Sequence, residues 1–263
     1  MTPGPGRGRT PWRWALAGTV LGTLLVLIVA APASWLAAAL GSASQHKLVI
    51  ADPEGTVWSG SGRLIFSGGA GSRDRTELPG RIQWRLRPAL THLTADLRSA
   101  CCTPAGPLAL RVTPRWGGVQ VKVSDSQSAW PVSVIAGLGT PWNTIQPEGQ
   151  MTIRTQQLEV RWISGRFTLG GRAQVTVSGA SSRLSTLRPI GSYKLVIEGG
   201  EPIAIHLSTL SGALQLSGQG TLVGQRLHFS GEAHATPGTE VQLAGLLNMM
   251  GRRQGNRALL SFN

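Results

Sequence analysis

Two regimes of apolar patterning divide the chain. From Trp14 to Leu40 apolar and small residues run on without one charged side chain, whereas from His46 onward apolar residues recur at every second position. A bilayer core is roughly 30 Å thick and takes about 20 apolar helical residues to cross. The first regime therefore predicts one transmembrane helix over 14–40. Trp14, Leu24, Leu25, Leu27, Ile28 and Trp35 are its membrane-contacting residues, and Trp12, Trp14 and Trp35 flank the apolar centre as interfacial aromatics do.

The second regime predicts half-buried antiparallel strands. Ile82, Trp84 and Leu86 alternate with Arg81, Gln83, Arg85 and Arg87, so one face is apolar and the other almost purely basic. The pattern returns in Leu93, Ala95 and Leu97, in Val119, Val121 and Val123, and in Leu158, Val160 and Trp162. Ala173, Val175 and Val177, then Tyr193, Leu195 and Ile197, then Ile203, Ile205 and Leu207 extend it, and Leu227 with Phe229 and Leu260 with Phe262 close it. Gly68-Gly69, Gly117-Gly118, Gly170-Gly171, Gly199-Gly200, Ser211-Gly212 and Ser217-Gly218 read as turns between strands, because glycine reaches positive φ without steric penalty. About a dozen strands result, and the fold class is all-β: one large curled antiparallel sheet with two short helices, preceded by the transmembrane helix. The helices are predicted within 125–140, with Ser128 as N-cap, and within 239–253, where Val241, Leu243, Leu246, Leu247 and Met250 recur at three and four. Pro53-Glu54-Gly55 and Pro147-Glu148-Gly149 form a loose internal echo.

Charge orients the first segment. Arg7, Arg9 and Arg13 precede it with no acidic residue, so residues 1–13 are a cytoplasmic basic tail, 14–40 a signal anchor, and 46–263 a β domain across the membrane. The apolar run is longer than a cleaved signal peptide's and resumes after Pro32, which favours an anchor, while Ala37-Ala38-Ala39 and Gly41-Ser42-Ala43 resemble cleavage sites and leave a cleaved signal as the alternative. Overall there are 25 Lys and Arg against 12 Asp and Glu. The arginines are scattered singly through alternating segments rather than gathered on one helix or tail, a distribution that does not point to nucleic acid.

Candidate chemistry is sparse. His46, His92, His206, His228 and His234 lack metal-ligand spacing, the serines form no Gly-x-Ser-x-Gly elbow, and the carboxylates form no evident acid and base pair. No catalytic residue, metal or cofactor is expected, and the chain does not read as an enzyme. The adjacent pair Cys101-Cys102 leaves three readings open: a vicinal disulfide, a bond to another chain, or two thiols among apolar neighbours.

Four stretches resemble one family: Gly55-Thr56-Val57-Trp58-Ser59-Gly60-Ser61-Gly62, Leu138-Gly139-Thr140-Pro141-Trp142-Asn143-Thr144, the run from Ser182 to Tyr193, and Leu246-Leu247-Asn248-Met249-Met250-Gly251-Arg252-Arg253. They are similar to protein N of the bacterial type II secretion system, within the wider AsmA-like group. The resemblance implies a single-pass inner-membrane protein of a Gram-negative bacterium with its bulk in the periplasm. It further implies an accessory, non-enzymatic part in moving folded proteins through an outer-membrane secretin. Partners would be other components of that machine, the inner-membrane platform or the secretin, met by the basic strand face of Arg81, Arg85 and Arg87. The alternative is a lipid-binding or lipid-transfer module with an apolar β groove.

Overall fold

The computed structural model describes residues 12–224, 226–255 and 257–262. Residues 1–11, most of the predicted basic tail, lie outside the described residues.

The apolar run 14–40 is not one helix. Helix α1 spans Trp12–Val29 and α2 spans Ala33–Ala43, with Pro32 extended at the entry to α2. Proline cannot donate the helical i→i−4 bond and turns the residue before it away from the helix, so the break falls there. At 1.5 Å per residue the 18 residues of α1 reach about 27 Å, a little under a bilayer core. Among the described residues no helix is long and apolar enough to cross a membrane. The prediction of a single spanning helix is corrected in its second half, which packs on the sheet. Ala33, Leu36, Ala37 and Leu40 stand at i, i+3, i+4 and i+7, and that stripe covers Ile50, Ile82, Trp84, Leu86 and Leu97.

The rest is β. The strands are β1 (Leu48–Gly55), β2 (Ser59–Ser67), β3 (Arg75–Pro88), β4 (Leu93–Ser99), β5 (Leu108–Arg115), β6 (Gly118–Val123), β7 (Ser126–Pro131) and β8 (Glu148–Ile163). They continue with β9 (Arg166–Ser181), β10 (Gly191–Glu198), β11 (Ile203–Gly212), β12 (Leu214–Val223), β13 (Arg226–Ala235), β14 (Arg252–Gln254) and β15 (Arg257–Phe262). All belong to one antiparallel sheet ordered β1-β2-β3-β4-β5-β6-β8-β9-β10-β11-β12-β13-β15-β14, with β7 paired beside β6 on β8. Every alternating segment named above lies in a strand.

Three of the pairs read as turns belong to strands instead, Ser211-Gly212 among them at the end of β11. Gly170-Gly171 sits within β9 and Ser217-Gly218 within β12. At Gly218 the reason is packing: a Cβ there would fall 2.5 Å from the Phe229 ring, which crosses the bare backbone.

Between 125 and 140 the expected helix is mostly absent. Ser128 is a buried residue of β7 whose hydroxyl accepts from Trp130 Nε1 at 2.9 Å, and only Val132–Leu138 forms a helical segment, of 3₁₀ type. Pro131 favours extended backbone before it, which keeps Ser126–Pro131 in the sheet. A four-residue helix α3 (Trp142–Ile145) follows, and α4 (Glu240–Met250) forms where the second helix was expected, ended by Gly251.

Because the chain is a meander, its connections sort to two edges. The edge that α1 meets, here the proximal edge, carries the β1–β2, β3–β4, β5–β6, β8–β9 and β10–β11 turns. The distal edge carries the Cys101-Cys102 turn, the 3₁₀ segment, α3, the 182–190 loop and α4. The internal echo is no structural repeat, since Glu54 stands next to last in β1 at the proximal edge and Glu148 begins β8 at the distal one.

The apolar face holds three separate cores. Beside the α2 core, Val134 of the 3₁₀ segment packs with Leu78 and Cys102, touching Leu64, Phe66 and Trp130. One short segment thus meets strands from both β2–β3 and β8, which requires the sheet to curl. Leu243, Leu246 and Leu247 of α4 pack with Tyr193, Leu214, Ala233 and Ala258. Between these cores a row of paired residues, Leu93, Val112, Val121, Val160 and Leu169, runs across five strands only half-buried.

Candidate functional site

The basic strand face is built on β3. Alternation puts Trp84 into the core at 3% exposure, and Arg81, Gln83, Arg85 and Arg87 onto the opposite face. Trp84 also sets the neighbouring backbone: its Nε1 donates to Thr56 O and Val57 O at 3.2 and 3.1 Å, and its ring lies where a Cβ on Gly60 would stand. The first family-like stretch is therefore a seat for this indole.

The face is less basic than its sequence. Arg81 pairs with Glu54 at 3.1 Å and donates to Asp52 O at 2.9 Å, and Arg87 lies 3.6 Å from Asp96. Arg63 of β2 bridges Asp52 and Glu77, and hydrogen bonds and charge from both carboxylates raise the pKa of its guanidinium. Single-strand reading missed this because the acids come from β1, β3 and β4 across the register. Arg85 and Arg98 have no ion-pair partner among the described residues. They line a groove of about 410 Å³ with Ser59, Gln83 and Asp96. Exposed pairs of this kind contribute about 0–1 kcal/mol each, so the face suits recognition more than stability.

A second groove, about 650 Å³, opens where β8 bulges between Gln156 and Glu159. Burial alone would raise the Glu159 pKa, but hydrogen bonds and charge from Arg161 and Lys122 outweigh it and hold the carboxyl below its ordinary value. Among the described residues no three His, Cys, Asp or Glu gather to hold a metal.

The remaining predicted residues fall in different places. Trp14, Leu24, Leu25, Leu27 and Ile28 lie on α1, whose large apolar side chains are 49% to 81% exposed on every side. Trp35 lies on α2 instead, exposed opposite the stripe that meets the sheet. Cys101 and Cys102 are joined by a disulfide in the β4–β5 turn. Cys102 is fully buried, and its carbonyl accepts from Ala129 N of β7 at 2.8 Å.

The other family-like stretches knit the distal edge. Asn143 Nδ2 donates to Asp74 at 3.0 Å, joining α3 to the β2–β3 loop. Ser182 Oγ donates to Ile145 O at 2.6 Å, and Tyr193 OH donates to Leu214 O at 3.1 Å. Leu246 and Leu247 bury α4, and Asn248 accepts from Arg253 at 3.0 Å. These residues hold the distal ends of the strands together.

No curated protein and no solved structure matches this chain. A family model does, over residues 46–260. The chain belongs to the family of type II secretion system protein N.

Proposed function

We propose that this chain is a non-enzymatic inner-membrane accessory of type II secretion, supporting export of folded proteins across the outer membrane, with its β domain in the periplasm. Membership of the protein N family supports an accessory role in type II secretion and contact with other components of that system. The observation that carries the membrane reading is α1, an apolar helix exposed all round and held to the domain by its C-terminal end. A bilayer removes that surface from water at about 25 cal/mol per Å². The shortfall in length is met by local thinning, at fractions of a kcal/mol per Å. Arg7, Arg9 and Arg13 favour a cytoplasmic N-terminus.

Contact with the machine runs through the Arg85 and Arg98 groove, whose free guanidinium groups fit acidic residues on a partner. A photo-crosslinking side chain at Ser59, in cells holding the assembled secretion apparatus, should capture a secretion component. Capture should fall when Arg85 and Arg98 are both changed to Gln. No adduct from any position of the groove sinks this contact.

The second reading is a lipid-binding module. The half-buried row from Leu93 to Leu169 favours it, because among the described residues no core cluster contains a residue of β5 or β6.

A further inference from the structure

At the proximal edge, Leu90 crowns the β3–β4 turn and Trp116 the β5–β6 turn, and both side chains are fully exposed. Neither has a packing neighbour to hold it there, and apolar residues set out on consecutive loop tips mark a contact surface. Basic residues flank these turns and the next: Arg87, 3.6 Å from Asp96 but with its side chain 61% exposed, ends the run before Leu90; Arg115, whose Nε donates to Gln120 Oε1 at 2.8 Å, directly precedes Trp116; and Arg166 follows the β8–β9 turn. Acidic residues stand at the same edge: Glu54 before the β1–β2 turn, paired with Arg81, Glu198 at the end of β10, paired with Arg172, and Glu201 in the β10–β11 turn.

What covers this edge follows from where α1 joins it. Ala31 O accepts from Val57 N at 2.9 Å, and Ile28 O accepts from Trp58 Nε1 at 2.8 Å, so the end of α1 is tied to the β1–β2 turn. A bilayer that contains α1 therefore meets the domain at the β1–β2 turn, the first in the row of proximal turns. Its interface is where tryptophan is most at home, with the ring among headgroups, and where guanidinium groups find phosphate oxygens to bind through paired N–H donors.

We propose that the proximal hairpin turns dock on an anionic lipid surface, with Leu90 and Trp116 entering the headgroup layer and Arg87, Arg115 and Arg166 binding lipid phosphates. This rests on α1 being a membrane anchor, as proposed above. It makes the β domain lie on the bilayer through its edge instead of swinging free on a tether.

The test uses the full chain reconstituted in phosphatidylcholine vesicles with phosphatidylglycerol, made with and without brominated acyl chains that quench nearby tryptophan. The emission of Trp116 is read as the difference between the chain and its Trp116→Phe variant, and that of Trp14 likewise with Trp14→Phe. Loss of the Trp116 emission in brominated vesicles is expected, with recovery when Arg87, Arg115 and Arg166 are together changed to Gln. Loss of the Trp14 emission with that of Trp116 intact overturns the docking and leaves the anchor standing. Intact emission from both, with no flotation of the chain on vesicles, overturns the anchor and the docking together. Quenching of Trp116 unchanged in the triple variant overturns the phosphate contacts. Unaltered far-ultraviolet circular dichroism of each variant shows that the sheet is intact.

Discussion

Tyr193 shows how one residue joins two levels of the fold. Its ring is buried under α4 and its hydroxyl donates to Leu214 O across the register, and burial pushes the phenol pKa up from its ordinary value of 10.0. In the unfolded chain the phenol loses its proton first as pH rises. The stability that Tyr193 contributes is therefore full below about pH 10 and is lost as pH climbs toward the folded value. Tyr193→Phe should remove one hydrogen bond, about 1 kcal/mol near neutral pH, and flatten the alkaline decline. Urea unfolding on both sides of pH 10 measures this, and parallel decline in the two proteins would show that another group is responsible. The arginines teach a different lesson. Arg81 and Arg87 stand where alternation puts them, yet cross-strand carboxylates leave Arg85 and Arg98 as the free pair.

Among the elements, α2 changes the boundary of the folded unit. The alternating pattern starts at His46, and the family model also begins there, but the α2 stripe forms part of the first core. A chain starting at residue 46 leaves Ile50 and Trp84 uncovered. Leu36 and Leu40 are half-buried, so their loss alone costs about 1.5–3 kcal/mol of burial, which a chain starting at residue 31 retains. Thermal unfolding of the two truncated proteins should differ by many degrees, and equal midpoints would mean that α2 does not belong to the core. The apolar run hid this division because Leu36 and Leu40 are equally at home in lipid or against a sheet. The 3₁₀ segment was hidden for a related reason. Its small and β-branched residues suit a helix, a strand or a buried loop, and Pro131 together with the space between β2 and β8 decided among them.

For the whole molecule the meander is the governing fact. It sends the hairpin turns to the edge where α1 joins and the disulfide-bearing turn, the 3₁₀ segment, α3 and α4 to the other, so the distal edge is closed by packing and the proximal turns are left to solvent or lipid. Across β4, β5, β6, β8 and β9 a row of paired apolar residues stays half-buried. If that row holds acyl chains, native mass spectrometry of the full chain released from membranes should show bound lipid, reduced when Val121 and Val160 are both changed to Asn. A chain carrying no lipid in either form removes that reading.

The sequence by itself determined the strands with clear alternation, β3, β4, β6, β8 to β11, β13 and β15, together with the α4 helix, the apolar α1 segment and the family. Each depends on residues one to four apart or on short motifs, where period and turn chemistry are written directly in the order of residues. By contrast β1, β2, β5, β7, β12 and β14 carry no such pattern and came from pairing. Only the tertiary structure decided the break at Pro32, the docking of α2, the neutralised arginines, the Cys101-Cys102 pairing and the division into two edges. Those outcomes depend on register and on contacts between residues tens of positions apart, whose energies no local pattern contains.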